Sequence, residues 1–236
     1  MKRLALGALC LCAGYSAQAS AADIGDPVSD SSWKFYVGVQ AGGASADVAM
    51  TEYDAGTSDK SGYTLDLDTS GFIGGIYAGA NYVTSHGLLI GAEADLSYSG
   101  LGDENYLDDD GETDKDYLYG WDSGLQGSLR ARLGIVAGDM TFYGTGGLAM
   151  GQNTFNVYGA GVDNNPESFD ETMVGWTLGG GFEYAFASNW SGRIEYRYTD
   201  FGDVTITPTV AGYGGDYDDE LEVTQQTLTV GVSYAF

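Results

Sequence analysis

The sequence predicts an all-β fold: one eight-stranded antiparallel up-and-down barrel crossing a membrane, with four long outer loops and short turns at the opposite end. Three observations carry this expectation. Eight segments alternate apolar and polar residues with a period of two, the pattern of a strand with one apolar face. Past the N-terminus no stretch approaches the about 20 apolar residues that a membrane-spanning helix needs, so a membrane location requires a closed barrel, whose backbone groups pair between strands. The connections between the segments also alternate short and long, as they do in transmembrane barrels.

The first segment, Trp33–Gly42, sets Phe35, Val37 and Val39 against Lys34, Tyr36, Gly38 and Gln40. The second, Phe72–Tyr82, gathers Phe72, Ile76, Ala78 and Ala80 opposite Gly75, Tyr77, Gly79 and Asn81. A turn at Ser85, His86 and Gly87 leads to the third, with Leu88, Ile90, Ala92, Ala94, Leu96 and Tyr98 on one face and Gly91, Glu93, Asp95 and Ser97 on the other. The fourth, Trp121–Ile135, sets Trp121, Leu125, Leu129, Leu133 and Ile135 against Asp122, Gln126, Ser128, Arg130 and Arg132. Gly138-Asp139 turns the chain into the fifth, Met140–Gly151, the least regular of the eight. The sixth carries Val174, Trp176, Leu178, Phe182, Tyr184 and Phe186 opposite Thr177, Gly179, Gly181 and Glu183. The seventh carries Trp190, Ile194, Tyr196 and Tyr198 opposite Arg193, Glu195 and Arg197, and the eighth is Thr227–Phe236.

In this arrangement no charge lies on an apolar face. A soluble, lipocalin-like barrel would bury that face, so alternation alone does not decide which side points outward. The polar face is rich in glycine, including Gly38, Gly79, Gly91 and Gly181, which suits a crowded barrel interior. Aromatic residues gather at segment ends: Tyr82, Tyr184, Phe186, Trp190 and Phe236 at one rim, Phe72, Tyr98, Trp121, Trp176 and Tyr198 at the other. Such girdles mark lipid–water interfaces. The apolar face is therefore expected to meet lipid.

The N-terminus carries Lys2 and Arg3, an apolar run from Leu4 to Gly14, and small residues through Ala22. This is the pattern of a secretory signal peptide, too short to span a bilayer. The domain reading is a signal peptide over 1–22, a short polar segment over 23–32 and a barrel over 33–236. Both cysteines, Cys10 and Cys12, fall in the leader, so the mature chain is expected to hold no disulfide.

The last strand ends on Tyr234-Ala235-Phe236, which resembles the C-terminal signal read by the outer-membrane insertion machinery, with Tyr234 and Phe236 as the recognised aromatics. Gly175-Trp176-Thr177-Leu178-Gly179-Gly180-Gly181-Phe182-Glu183-Tyr184-Ala185-Phe186, Asn189-Trp190-Ser191, the run from Arg193 to Gly202, and Phe72-Ile73-Gly74-Gly75 resemble the small outer-membrane surface antigens related to opacity proteins, the outer-membrane immunogenic proteins. The resemblance covers the eight strands and leaves the loops unaligned. It implies a cell-outer-membrane barrel of a Gram-negative bacterium, with a structural, antigenic or adhesive surface role; it does not imply an enzyme, and none is expected.

The polar face holds Glu93, Asp95, Asp122, Arg130, Arg132, Glu183, Arg193, Glu195 and Arg197. An eight-stranded barrel is filled by its own side chains, so these are expected to form an ion-paired plug; the sharper reading is a narrow, cation-preferring channel gated by the arginines. The expected outer loops carry 6, 8, 4 and 7 carboxylates against Lys60 and Lys115 alone. The densest run, Asp108, Asp109, Asp110, Glu112 and Asp114, offers hard oxygen ligands for a divalent cation. Its spacing is not that of an EF-hand, because Tyr106 and Tyr117 fall where the first and last ligands belong.

His86 is the only histidine and sits in a short turn, which counts against histidine-dependent hydrolysis; a lipid-modifying enzyme stays open as a third class. Haem is disfavoured as a cofactor, since acidic loops repel its propionates and offer no histidine. Net charge is −25, or −27 without Lys2 and Arg3, which excludes nucleic acid as a partner. The expected partners are outer-membrane lipid and lipopolysaccharide, the insertion machinery, and divalent cations or a host surface.

Overall fold

The computed structural model describes residues 32–236 apart from 55, 57–58, 110–111, 159–165 and 210–216. The leader and most of the polar segment lie outside the described residues. The described chain is antiparallel strand throughout: β1 Ser32–Asp54, β2 Lys60–Val83, β3 Leu88–Ser99, β4 Gly102–Asp109, β5 Glu112–Ala137, β6 Met140–Tyr158, β7 Glu167–Ala185, β8 Trp190–Ile206 and β9 Tyr217–Ala235. Pairing runs from β1 through β9, β8, β7, β6, β5 and β3 to β2, and β2 pairs back onto β1. The ring is closed and leaves no edge.

Nine strands occupy eight positions. Both β3 and β4 lie between β2 and β5, and the break between them falls at Gly100 and Leu101. There Gly100 N donates to Phe72 O and Ser123 N to Leu101 O, so neighbouring strands hold the interruption in place.

The short turns follow β2, β5 and β7, at the end where β1 begins and β9 finishes. Gly87 (φ 80°) and Gly138 (φ 62°) take the left-handed conformation that tight hairpins require. In the third turn Asn189 Nδ2 donates to Ala235 O at 2.7 Å, tying the turn to the C-terminal strand.

The strands are longer than the period-two segments suggested, up to 26 residues in β5. Most of the stretches expected as long outer loops are strand, and the connections away from the short turns reduce to 55–59, 110–111, 159–166 and 207–216. A span needs only about 9–11 tilted residues. The barrel therefore continues well beyond one membrane thickness, as a distal section stacked on a proximal one.

The two sections have opposite polarity. In the proximal section Val37, Ile76, Ile90, Leu129, Leu148, Leu178, Ile194 and Val230 are exposed on the outer face. In the distal section the apolar residues turn inward: Ala44, Ala46, Val48 and Met50 on β1, Leu65 and Leu67 on β2, Phe155 and Val157 on β6, and Leu221 and Val223 on β9 pack one continuous core with Trp121, Met173, Phe201 and Ile206. Asp47, Asp66, Asp68, Glu220 and Glu222 stand exposed outside it. The soluble-barrel pattern, rejected for the chain as a whole, is the pattern of this half.

Two register shifts lie at the boundary, between Ser123 and Gln126 on β5 and between Asp200 and Asp203 on β8. Each inserts a residue and exchanges inner and outer faces. They correct two expectations. Trp121 shares parity with Leu125 but lies beyond the β5 shift, so it points inward at 1% exposure and does not join the aromatic girdle. Asp122 for the same reason is exposed on the outer face, where Asn156 Nδ2 donates to it at 3.5 Å, and it is not an interior charge.

Candidate functional site: an ion-paired interior beneath an apolar core

Inside the proximal section Glu93 is the hub. Its Oε1 accepts from Arg130 at 2.6 Å, and its Oε2 accepts from Arg193 at 2.6 Å and from the Tyr36 hydroxyl at 2.8 Å. Arg130 also donates to Glu195 at 2.6 Å. Arg132 donates to Glu183 at 2.6 Å, nearer the short turns, and Arg197 to Asp95 at 2.9 Å, nearer the distal core. Four arginines face four carboxylates, so the interior is close to neutral.

Register explains only some of these contacts. Glu93 lies directly opposite Arg130 on β5, and the two bond; Glu183 lies opposite Arg193 on β8 but accepts from Arg132 and Ser191 instead. The Glu93–Arg193 and Asp95–Arg197 bonds instead run between β3 and β8, which do not pair in the sheet. The network thus bridges the lumen.

Tyrosines pack against the arginines, and at the short-turn end a cavity of about 160 Å³ reaches Glu183. The Arg132 guanidinium lies 3.7 Å from the Tyr143 ring centre and that of Arg193 lies 3.4 Å from Tyr77, both cation–π contacts. A Cβ at Gly38 would collide with the Tyr77 ring, and one at Gly181 with the Tyr143 ring. The inner-face glycines make room for rings laid flat on the wall. Between Asp95, Arg197 and Phe201 remains a cavity of about 10 Å³, room for about one water.

The distal core sits directly above. Its residues were missed by the sequence reading, although a signal was present: alternation continues through Ala44–Met50, Leu65–Leu67, Phe155–Val157 and Leu221–Val223, with the apolar phase moved by one residue. A phase change read as the end of a strand was a change of surroundings.

Of the other singled-out residues, Tyr234 and Phe236 stand outside at the rim that holds the short turns. Tyr234 packs edge-on against Trp190 at 5.2 Å and against Phe236 at 5.4 Å, and Phe236 N donates to Phe35 O. The described part of the acidic run lies at the end of β4 and the start of β5, where Asp108 pairs with Thr113 and Asp109 with Glu112 along the backbone. Asp110 and the side chains of Asp108, Asp109, Glu112 and Asp114 lie outside the described residues. Among the described residues no group of three His, Cys, Asp or Glu could hold a metal. His86 is exposed in its turn beside Ser85.

A closed antiparallel ring with an apolar outer belt and an ion-paired interior defines a transmembrane β-barrel of the bacterial outer membrane. The chain belongs to the outer membrane protein beta-barrel domain family, whose model matches residues 7–236. It is 33% identical over 224 residues to the 31 kDa outer-membrane immunogenic protein of Brucella melitensis, covering 89% of this chain and 86% of that protein. It is 30% identical over 180 residues to the 22 kDa outer membrane protein of Rhizobium leguminosarum bv. viciae, with 76% and 74% covered. Among solved structures the outer membrane protein OprG of Pseudomonas aeruginosa aligns with a TM-score of 0.51 at 14% identity, over 87% of this chain and 97% of that one. At that identity the likeness is one of fold.

Proposed function

We propose that this protein is a non-conducting, non-catalytic anchor of the outer membrane that displays an acidic distal section at the cell surface. The observation that carries this reading is the double closure of the lumen. The ion-paired plug fills the membrane level, and above it Trp121, Phe155, Leu221 and their neighbours fill the distal section with apolar side chains. An ion crossing would have to break the first and shed its hydration in the second.

In planar bilayers, verified folded barrels should stay electrically silent. Removing Arg130, Arg132, Arg193 and Arg197 together should not open them, because the apolar core remains. Cation-selective steps from the unaltered protein would overturn this reading in favour of a channel.

The partners follow from the two surfaces. The outer belt contacts lipid, and Tyr234 and Phe236 serve as the element read by the insertion machinery. The outward carboxylates Asp47, Asp66, Asp68 and Glu222 sit just above the apolar belt, level with lipopolysaccharide phosphates, and divalent cations bridge the two anionic layers there. Neutralising these four should raise detergent sensitivity at high Mg²⁺, where the bridges form, and not at low Mg²⁺, where the carboxylates only repel the phosphates. Equal sensitivity of both strains at every Mg²⁺ concentration would remove the bridging role.

A further inference from the structure

Glu52 on β1 and Asp219 on β9 are register partners, and both turn into the apolar distal core, 2% and 0% exposed. Tyr119 on β5 reaches across the lumen and donates its hydroxyl to Asp219 Oδ2 at 2.8 Å. Asp219 Oδ1 is buried with no hydrogen-bond partner among the described residues. Eight residues lie between Asp219 and Leu228, the last apolar residue of the outer belt on β9, so the site lies clear of the membrane level.

Among the described residues, the other side chains around Asp219 are apolar. Ile206 lies opposite on β8, Leu221 is next along the inner face of β9, and Met50 follows Glu52 on the inner face of β1. From the partners of Tyr119 and Met50 come Val157 on β6 and Leu65 on β2. Asp218 is engaged elsewhere, accepting from Gly56 N and the Thr207 hydroxyl. Lys115 on β5 is the cation nearest to Tyr119 in sequence, and its side chain lies outside the described residues.

We propose that the Asp219 carboxyl keeps its proton in the packed distal section and that loss of this proton loosens this end of the barrel, making the group a pH-sensitive latch. A carboxyl with one oxygen unpartnered in an apolar interior does not ionise there without a large cost. Burial pushes the Asp219 carboxyl up to about 7; the Glu52 charge adds to the rise and the Tyr119 hydrogen bond opposes it.

The sign follows from linkage. The packed form holds the Asp219 proton more tightly than the opened form, where the carboxyl has its ordinary value near 3.8. The latch is therefore at full strength below about pH 4, weakens as pH rises to about 7, and is level above that.

Amide hydrogen exchange on the refolded full-length protein in detergent micelles tests this. With base catalysis of exchange divided out, the opening equilibrium at Leu221 and Val223 should rise about tenfold per pH unit between pH 5 and 7 and then flatten, the slope for one released proton. Asp219→Asn should be flat over the whole range, and Glu52→Gln should shift the bend to lower pH. A flat unaltered protein, or Asp219→Asn with the original slope, overturns the latch. Should Asp219→Asn fail to fold, the ¹³Cγ titration of Asp219 in the unaltered protein decides: a midpoint near 7 supports the latch, and one near 4 removes it.

Discussion

Replacing Glu93 with alanine is expected to cost about 3–5 kcal/mol of barrel stability, the range for removing one partner of a buried ion pair. Glu93 accepts at 2.6 Å from both Arg130 and Arg193, and Arg132 approaches it at 3.9 Å. Its removal leaves three guanidinium groups converging where one carboxylate stood. Glu195 still holds Arg130 and Glu183 still holds Arg132, so Arg193 loses most. The double variant Glu93→Ala, Arg193→Met should recover part of the loss, since a buried pair replaced by apolar groups of similar volume is often neutral. Urea unfolding of refolded protein, followed by heat-modifiable gel mobility, reads the change. A loss under about 1 kcal/mol, the value for exposed pairs, would mean that water screens the lumen and would reopen the channel reading.

The inversion of polarity between the sections gives the second large effect. Val223→Arg should prevent stable packing of the distal section, because Val223 is 0% exposed in the apolar core and an unpaired buried charge costs several kcal/mol. One residue away, Glu222→Arg should be nearly silent, since that side chain stands exposed on the outer face. Val230→Arg, on the lipid-facing belt at 58% exposure, should cost about 2–4 kcal/mol in a bilayer. Measured side by side in lipid, the three should rank Val223, then Val230, then Glu222. If Glu222→Arg cost as much as Val223→Arg, the distal half would not be the inverted barrel described above.

How far the candidate site was legible is seen in its own residues. Period-two alternation is a local property, and it placed Glu93, Asp95, Arg130, Arg132, Glu183, Arg193, Glu195 and Arg197 on inner faces because no bulge interrupts the strands between them and the turns. Asp122 and Trp121 were misplaced because the shift at Ser123–Gln126 is a pairing event between β5 and β6. Nothing in the local spacing of Trp121 and Leu125 announces it. The contacts across the lumen, Glu93 with Arg193 and Asp95 with Arg197, were illegible for a related reason: they join strands that are neighbours in neither sequence nor sheet.

The distal core was a different kind of failure. Its alternation was in the sequence, but alternation states only that one face differs from the other. Which face turns inward depends on what lies outside, lipid around Val230 and water around Glu222. By itself, then, the sequence determined the class of fold, the membrane location and the faces of the proximal strands, because a bilayer imposes its period on every strand that crosses it. Only the tertiary structure decided strand length, the partners of each buried charge and the facing of Glu52 against Asp219, because those depend on closure of the ring, which sets register between residues far apart in the chain.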